Sequence, residues 1–176
     1  SWLAPKAYLS VTEMFRSLSR GERLSQVTPE RRIRGLIMIS AIVYGRNDAY
    51  GYELNRRTAL GLNQLACQLD PDRDEIVFVD YNTDDDLPTH PEAIADTLTP
   101  RAVELIQVIR VRPDVHADLP SDGPPVREAF CRNIALRRVK SGATWVLSTN
   151  PDCLLLSAGG SPLAQLAETL PDGYFG

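Results

Sequence analysis

Short apolar stretches alternate along the chain with stretches of helical periodicity. Four runs rich in β-branched and aromatic residues predict strands at 36–43, 75–80, 106–111 and 144–149, the first of them buried on both faces. Apolar residues that recur every three or four positions predict helices around 54–69, 126–134 and 162–170. Strands that alternate with helices predict an α/β fold with a doubly wound, mainly parallel sheet and helices on both faces.

Two intervening segments have weaker patterns. Residues 91–105 fit either a helix or an irregular stretch. Residues 112–125 contain four prolines, which predicts a long loop of the kind that often carries function.

The N-terminal segment differs from the rest in both pattern and charge. Apolar residues at helical spacing predict an amphipathic helix over 8–24, so we divide the chain into a helical arm, 1–35, and an α/β domain, 36–176. The arm is basic, whereas the whole chain has a net charge of −4, which argues against a dedicated nucleic-acid-binding protein. A basic arm suits peripheral contact with an anionic membrane surface, and the alternative is an ordinary solvated helix face.

Composition narrows the protein class further. Apolar residues make up 43% and charged residues 24% of the chain, as in ordinary globular domains. The three cysteines are odd in number and lack metal-ligand spacing, which predicts buried, unpaired thiols in a reducing compartment such as the cytoplasm. A zinc site and a disulfide scaffold are therefore disfavoured.

Ligands of open α/β sheets bind beyond the carboxyl ends of the strands, so we expect the functional residues in the loops that follow the strands. The sequence has no GxGxxG, P-loop or GxSxG motif there. The loops instead carry acids and amides, whose oxygens suit hydrogen bonds to a nucleoside or a hard divalent cation beside a diphosphate. These residues are Asn47, Asp48, Asp80, Asn82, Asp84 to Asp86, Asn150 and Asp152.

Each candidate also has an ordinary structural interpretation. Arg46 has a planar guanidinium that suits phosphate oxygens, and Asp48 equally fits a cap for the helix that follows. Asp80 fits either ribose or base recognition or a solvated acid at a strand end. Asp152 fits either a diphosphate or metal ligand or a turn residue after Pro151.

Over roughly residues 36–156, the chain resembles the nucleotide-binding half of GT-A fold glycosyltransferases similar to family 2. The likeness lies in the order of four short segments: the polar loop after strand one, the acid that ends strand two in 77–85, the pair Arg132-Asn133 on a later helix, and Asn150-Pro151-Asp152 in the place of a D-x-D motif. The first D-x-D position is therefore an amide. A GT-A domain usually continues well past this motif, so we expect the α/β domain to be truncated at its C-terminal end.

The resemblance implies transfer of a sugar from a nucleotide-diphosphate donor to a hydroxyl of a glycan or lipid-linked acceptor, as in polysaccharide biosynthesis. It implies Mg²⁺ or Mn²⁺ at the diphosphate and no specific catalytic base. The alternative is a non-catalytic nucleotide- or protein-binding module derived from such an enzyme. Implied donor-nucleotide residues are Val43, Tyr44, Gly45, Arg46, Asp48, Asp80, Asn82, Arg132 and Asn133, with Asn150 and Asp152 at the metal and diphosphate.

Overall fold

The structure, a computed structural model, describes residues 37–48, 51–119, 124–155 and 162–169. The predicted arm and its helix over 8–24 lie outside the described residues. The elements follow in the order β1 (Ile39–Gly45), α1 (Leu54–Cys67), β2 (Glu75–Tyr81), α2 (His90–Ala93), a 3₁₀ turn (Ala95–Thr97), α3 (Pro100–Leu105), β3 (Ile106–Val111), α4 (Pro113–Ala117), α5 (Glu128–Leu136), β4 (Trp145–Ser148) and α6 (Pro162–Thr169).

The four strands form one sheet in the order β3-β2-β1-β4, and every pair is parallel. Side chains of β1 alternate between two apolar layers, as strand geometry requires. Ile39, Ala41 and Val43 pack with α1 residues such as Leu62. Ile42 and Tyr44 lie in the opposite layer, where α5 contributes Cys131 and Ala135. The predicted α/β fold, with a parallel sheet and helices on both faces, is confirmed.

The strand order places a topological switch point between β1 and β4. The chain builds β2 and β3 on one side of β1 and then crosses back to add β4 on the other side. A crevice opens at such a point because the connections leave the two strands in opposite directions. This crevice is where a ligand is expected.

Several element boundaries differ from those expected. Tyr44 and Gly45, expected in a loop, end β1 because they pair with Val79 and Asp80 of β2. The strand β4 is shorter than expected, at Trp145–Ser148. The expected loop over 112–125 contains the helix α4, which Pro113 can begin because a first-turn N–H needs no partner within the helix.

The three cysteines are unpaired, as the sequence predicts. The expectation that all are buried is wrong for Cys67 and Cys153, which are exposed. Cys131 is buried under the sheet, and this burial raises the pKa of its thiol to about 12.

Candidate functional site

A cavity of about 380 Å³ lies at the switch point, beyond the carboxyl ends of β1 and β4. We call it the switch-point pocket. Its wall includes six of the residues singled out from sequence: Tyr44, Gly45, Arg46, Asp48, Asn150 and Asp152. Apolar parts of the lining come from Leu54, Pro125 and Val126.

Three side chains from three elements meet at one side of this pocket. The Tyr44 hydroxyl at the end of β1 donates to Oδ1 of Asn150, at 2.9 Å. Arg132 of α5 reaches across with Nη2 at 3.3 Å from the Tyr44 hydroxyl oxygen and 3.5 Å from Asn150 Oδ1. Its guanidinium carbon lies 5.3 Å from the centre of the Tyr44 ring, and Nη1 donates to Ser148 Oγ at 2.6 Å. The cluster therefore holds a planar cation where phosphate oxygens can be recognised.

Burial raises the pKa of Tyr44 above its usual value, although the hydrogen bond from Arg132 acts in the opposite direction. A hydroxyl with a raised pKa stays protonated throughout the neutral range. Tyr44 therefore remains a hydrogen-bond donor to Asn150 at physiological pH.

Asp152, also on the pocket wall, forms an ion pair that sequence reasoning missed. Arg57 Nη1 lies 2.6 Å from Asp152 Oδ2. Arg57 belongs to α1, and 95 positions separate the two residues. No local pattern signals this pair, because nothing distinguishes Arg57 from its neighbour Arg56 in the sequence.

Arg46 lies at the rim and approaches two carboxylates. Its Nε is 3.7 Å from Asp48, and its Nη2 is 3.5 Å from Asp84. The helix α1 begins at Leu54, and its N-cap is Glu53 in the left-handed conformation, without a side-chain cap. Asp48 therefore does not cap α1, and its carboxylate lies at the pocket wall.

The structure places Asp80 and Asn82 away from this pocket. Asp80 is 0% exposed, and its Oδ1 accepts from the Thr83 hydroxyl at 2.9 Å and from the His90 backbone N–H at 2.8 Å. Burial raises the pKa of this carboxyl group. Asn82 is buried in the left-handed conformation, and its amide donates to the Pro125 carbonyl. Both residues shape the loop that follows β2.

Two further candidates also lie apart from the pocket. Val43 is 1% exposed and belongs to the core layer against α1. Asn133 is exposed and lines a separate, mainly apolar groove of about 720 Å³ along β4. Arg132 borders that groove as well, so it stands between the groove and the switch-point pocket.

His90, which no motif indicated, is fully buried behind the pocket wall. A Cβ at Gly45 would come within 3.0 Å of the Phe78 ring and 3.1 Å of His90 Nδ1, so a larger residue here would press on both rings. Neither ring nitrogen of His90 has a hydrogen-bond partner among the described residues. Burial lowers the pKa of His90 and keeps the imidazole neutral near pH 7.

The residues implied for Mg²⁺ or Mn²⁺ do not fit a divalent cation in this arrangement. Asp152 already pairs with Arg57, and Asn150 Oδ1 already accepts from Tyr44. Across the described parts of the chain, no three His, Cys, Asp or Glu residues come together as a metal ligand set. Hard cations bind several oxygen ligands, most often including carboxylates.

Within the described ranges, no helix has the length and apolar character needed to cross a membrane.

No protein-family model and no curated protein matches the sequence. Among solved structures, the chain is similar to S. aureus TarS, a GT-A-type glycosyltransferase. A structure of TarS residues 1–349 shares 21% identity at a TM-score of 0.45, over 75% of this chain and 31% of that one. A second TarS structure shares 22% identity at a TM-score of 0.46, over 75% of this chain and 19% of that one.

The chain thus spans about a third or less of the TarS chains it matches.

Proposed function

We propose that this chain binds a nucleotide-diphosphate sugar in the switch-point pocket and forms the donor-binding part of a glycosyltransferase. The observation that carries the proposal is the cluster of Arg132, Tyr44 and Asn150, which links α5, β1 and the loop after β4 at the expected crevice. The Tyr44 ring and the side-chain oxygens of Tyr44, Asn150 and Ser148 hold the guanidinium, and the Glu128 carboxylate lies 3.7 Å from it. A guanidinium fixed in this way is prearranged for phosphate, because its planar fork matches two phosphate oxygens.

The remaining lining suits the rest of such a donor. Leu54, Pro125 and Val126 offer an apolar surface to the nucleoside base. Asp48 offers a carboxylate to ribose or sugar hydroxyls. Asp80 then acts indirectly, by holding the loop after β2 through Thr83 and His90.

In the proposed reaction, the bond between the sugar's anomeric carbon and the diphosphate oxygen breaks, and a bond to the acceptor's hydroxyl oxygen forms. The nucleoside diphosphate leaves with the bonding electron pair, and the acceptor's proton passes to a base. Arginine side chains at the diphosphate stabilise the negative charge that grows on this leaving group. The acceptor class we propose is a glycan or a lipid-linked glycan, and no residue of this chain is assigned as the base.

We place this activity in the cytoplasm or at the cytoplasmic face of a membrane. The basic segment 1–34 supports the second location, because clustered Lys and Arg residues are attracted to anionic lipid headgroups.

The second candidate is a binding module without transferase activity. Asn150 in the first D-x-D position and the pairing of Asp152 with Arg57 favour it, because both remove free carboxylate oxygens from the site. Such a module would bind the same nucleotide and leave the donor intact. Release of free sugar from a bound nucleotide sugar would separate the two candidates.

The test is a thermal-shift and calorimetry series with nucleoside diphosphates and nucleotide sugars. A ligand that binds the folded state selectively raises the melting temperature. We expect Arg132→Ala to lower donor affinity roughly 10- to 100-fold, since it removes charge-assisted hydrogen bonds. The exposed Arg138 of the same segment gives the matched control, Arg138→Ala, with affinity unchanged. Absence of binding by every nucleotide would contradict the proposal.

A further inference from the structure

Close contacts fix the loop after β4 against α1. A Cβ at Gly61 would overlap the carbonyl oxygen of Pro151, so the helix approaches the loop as closely as a glycine allows. Three residues after Gly61 on α1, the Gln64 side chain donates to the Leu155 carbonyl and accepts from the Leu155 N–H at 2.9 Å. Asp152 lies between these attachments, so its position relative to α1 is set by the fold.

Arg57 is the side chain of α1 that meets Asp152. Two contacts fix its guanidinium, the 2.6 Å ion pair with Asp152 Oδ2 and a 2.9 Å hydrogen bond from Nε to the Tyr52 carbonyl. Its side chain remains 42% exposed, next to a pocket wall that includes Asp152. Arg56 differs, because it is 86% exposed and only approaches Glu53 at 3.5 Å.

The first turn of α1 contributes a partial positive charge near Arg57. Leu54, the first residue of the helix, lines the pocket. The helix has neither a side-chain cap nor an acidic residue in its first turn. The partial positive charge of its N-terminal N–H groups therefore reinforces Arg57.

We infer that Arg57, aimed by Asp152, binds the diphosphate of the donor in the switch-point pocket and supplies the positive charge there without a metal ion. The inference rests on the proposed function, which makes a diphosphate the charged part of the ligand. A cation at Asp152 would have to displace a 2.6 Å ion pair, whereas an anion needs only the remaining donors of a guanidinium that carries five N–H groups. Within this pair, Asp152 is thus the positioning residue, and Arg57 is the one that touches the anion.

The test measures inorganic pyrophosphate binding to the 176-residue chain by calorimetry and thermal shift, in EDTA and separately in Mn²⁺. We expect binding in EDTA and little gain from Mn²⁺. Arg57→Gln should weaken pyrophosphate binding roughly 10- to 100-fold. Arg57→Lys should fall between Arg57→Gln and wild type, because it keeps the charge and loses the fork. The neighbouring Arg56→Gln is the matched control and should bind as wild type does.

Asp152→Asn separates the two roles of the pair. The amide of Asp152→Asn keeps an acceptor oxygen for Arg57. If Asp152 only positions Arg57, pyrophosphate affinity in EDTA should therefore fall by less than about 10-fold. Binding only in Mn²⁺, retained in Arg57→Gln and abolished in Asp152→Asn, would overturn the inference, as would no pyrophosphate binding under either condition. Each variant's own melting transition shows that it is folded before ligand is added.

Failure of the proposed function gives a different result. If pyrophosphate binds through Arg57 in EDTA but no nucleotide or nucleotide sugar binds more tightly, the anion site stands and the donor proposal fails.

Discussion

Two regions at the carboxyl edge of the sheet contain the same residue types but have different roles. The first is the segment from Asp80 to His90 after β2, which we call the acidic loop. The second is the switch-point pocket. In the acidic loop, Asp80 turns inward, and Arg110 Nη2 donates to the Asp84 and Leu87 carbonyls at 2.9 and 3.1 Å. In the pocket, polar side chains line a cavity that solvent reaches.

The two regions also differ in where the partners lie along the chain. Asp80 accepts from groups three and ten positions away, which closes a local loop. In the pocket, Tyr44 bonds to Asn150 over 106 positions, and Arg57 pairs with Asp152 over 95. Short-range contacts of a buried acid stabilise a turn, whereas long-range contacts at the wall of a cavity bring functional side chains together from separate elements. An acid at a strand end is therefore not by itself a ligand site.

Replacing Asp80 with alanine is the largest expected perturbation and addresses the acidic loop alone. The change leaves the Thr83 hydroxyl and the His90 N–H without their acceptor in a buried setting. We expect the free energy of unfolding to fall by about 2–4 kcal/mol, since each buried group left unpaired costs about 1–3 kcal/mol. Urea denaturation measures this loss.

The exposed Asp86 of the same loop provides the control, and Asp86→Ala should change stability by no more than about 0.5 kcal/mol. If Asp80→Ala remained as stable as wild type but lost nucleotide affinity, the carboxylate would be a ligand-binding group, and the contrast between the two regions would fail.

The strands and the ends of the strands could be predicted from the sequence, whereas the directions of individual side chains could not. The strands were predictable because apolar, β-branched runs specify strands of a parallel sheet. The strand β3 has the predicted bounds, Ile106–Val111, although it lies at the sheet edge and is only partly buried. The residues on the pocket wall that follow β1 and β4 were also predictable, because parallel topology brings strand ends to one edge.

The direction in which each side chain points was harder to predict from the sequence. Arg132 and Asn133 are neighbours on α5, and about 100° of helical rotation separates them. Both line the apolar groove, and Arg132 also contacts Tyr44 and Asn150 of the pocket wall. Nothing in the sequence indicates that Asp80 turns inward or that Arg57 meets Asp152, since both depend on how α1 and the loops pack.

The pH dependence of stability gives a second, smaller test of the acidic loop. Burial holds the pKa of His90 below its usual value, and the nearby Asp48 carboxylate only partly offsets this. The unfolded imidazole takes up a proton near pH 6.5 before the folded one does, so stability falls as the pH falls through this range, by at most about 1.4 kcal/mol per pH unit. Denaturation between about pH 7.5 and pH 5 measures the slope.

His90→Leu removes the titrating group and should flatten this part of the profile. The buried Asp80 carboxyl works in the opposite direction, because its raised pKa lets the folded state take up a proton first as the pH falls. The difference in slope between wild type and His90→Leu isolates the contribution of the imidazole. Identical slopes in the two proteins would show that the folded imidazole takes up a proton as readily as the unfolded one, against the expectation.

The smallest expected effect comes from Tyr44→Phe, and it tests the pocket alone. The change keeps the ring beneath Arg132, with the guanidinium carbon 5.3 Å from its centre, and removes the hydroxyl that donates to Asn150 and accepts from Arg132. One partly exposed hydrogen-bonding group is worth about 0.5–1.5 kcal/mol, so we expect donor affinity to fall by roughly 2- to 10-fold while stability changes little. Calorimetric titration of wild type and variant measures the ratio of the two dissociation constants.

An unchanged affinity would mean that ring stacking alone positions Arg132, and a loss as large as that of Arg132→Ala would mean that the hydroxyl itself contacts the ligand. The intermediate result is expected because the hydroxyl fixes the direction of a guanidinium that the ring already holds in place.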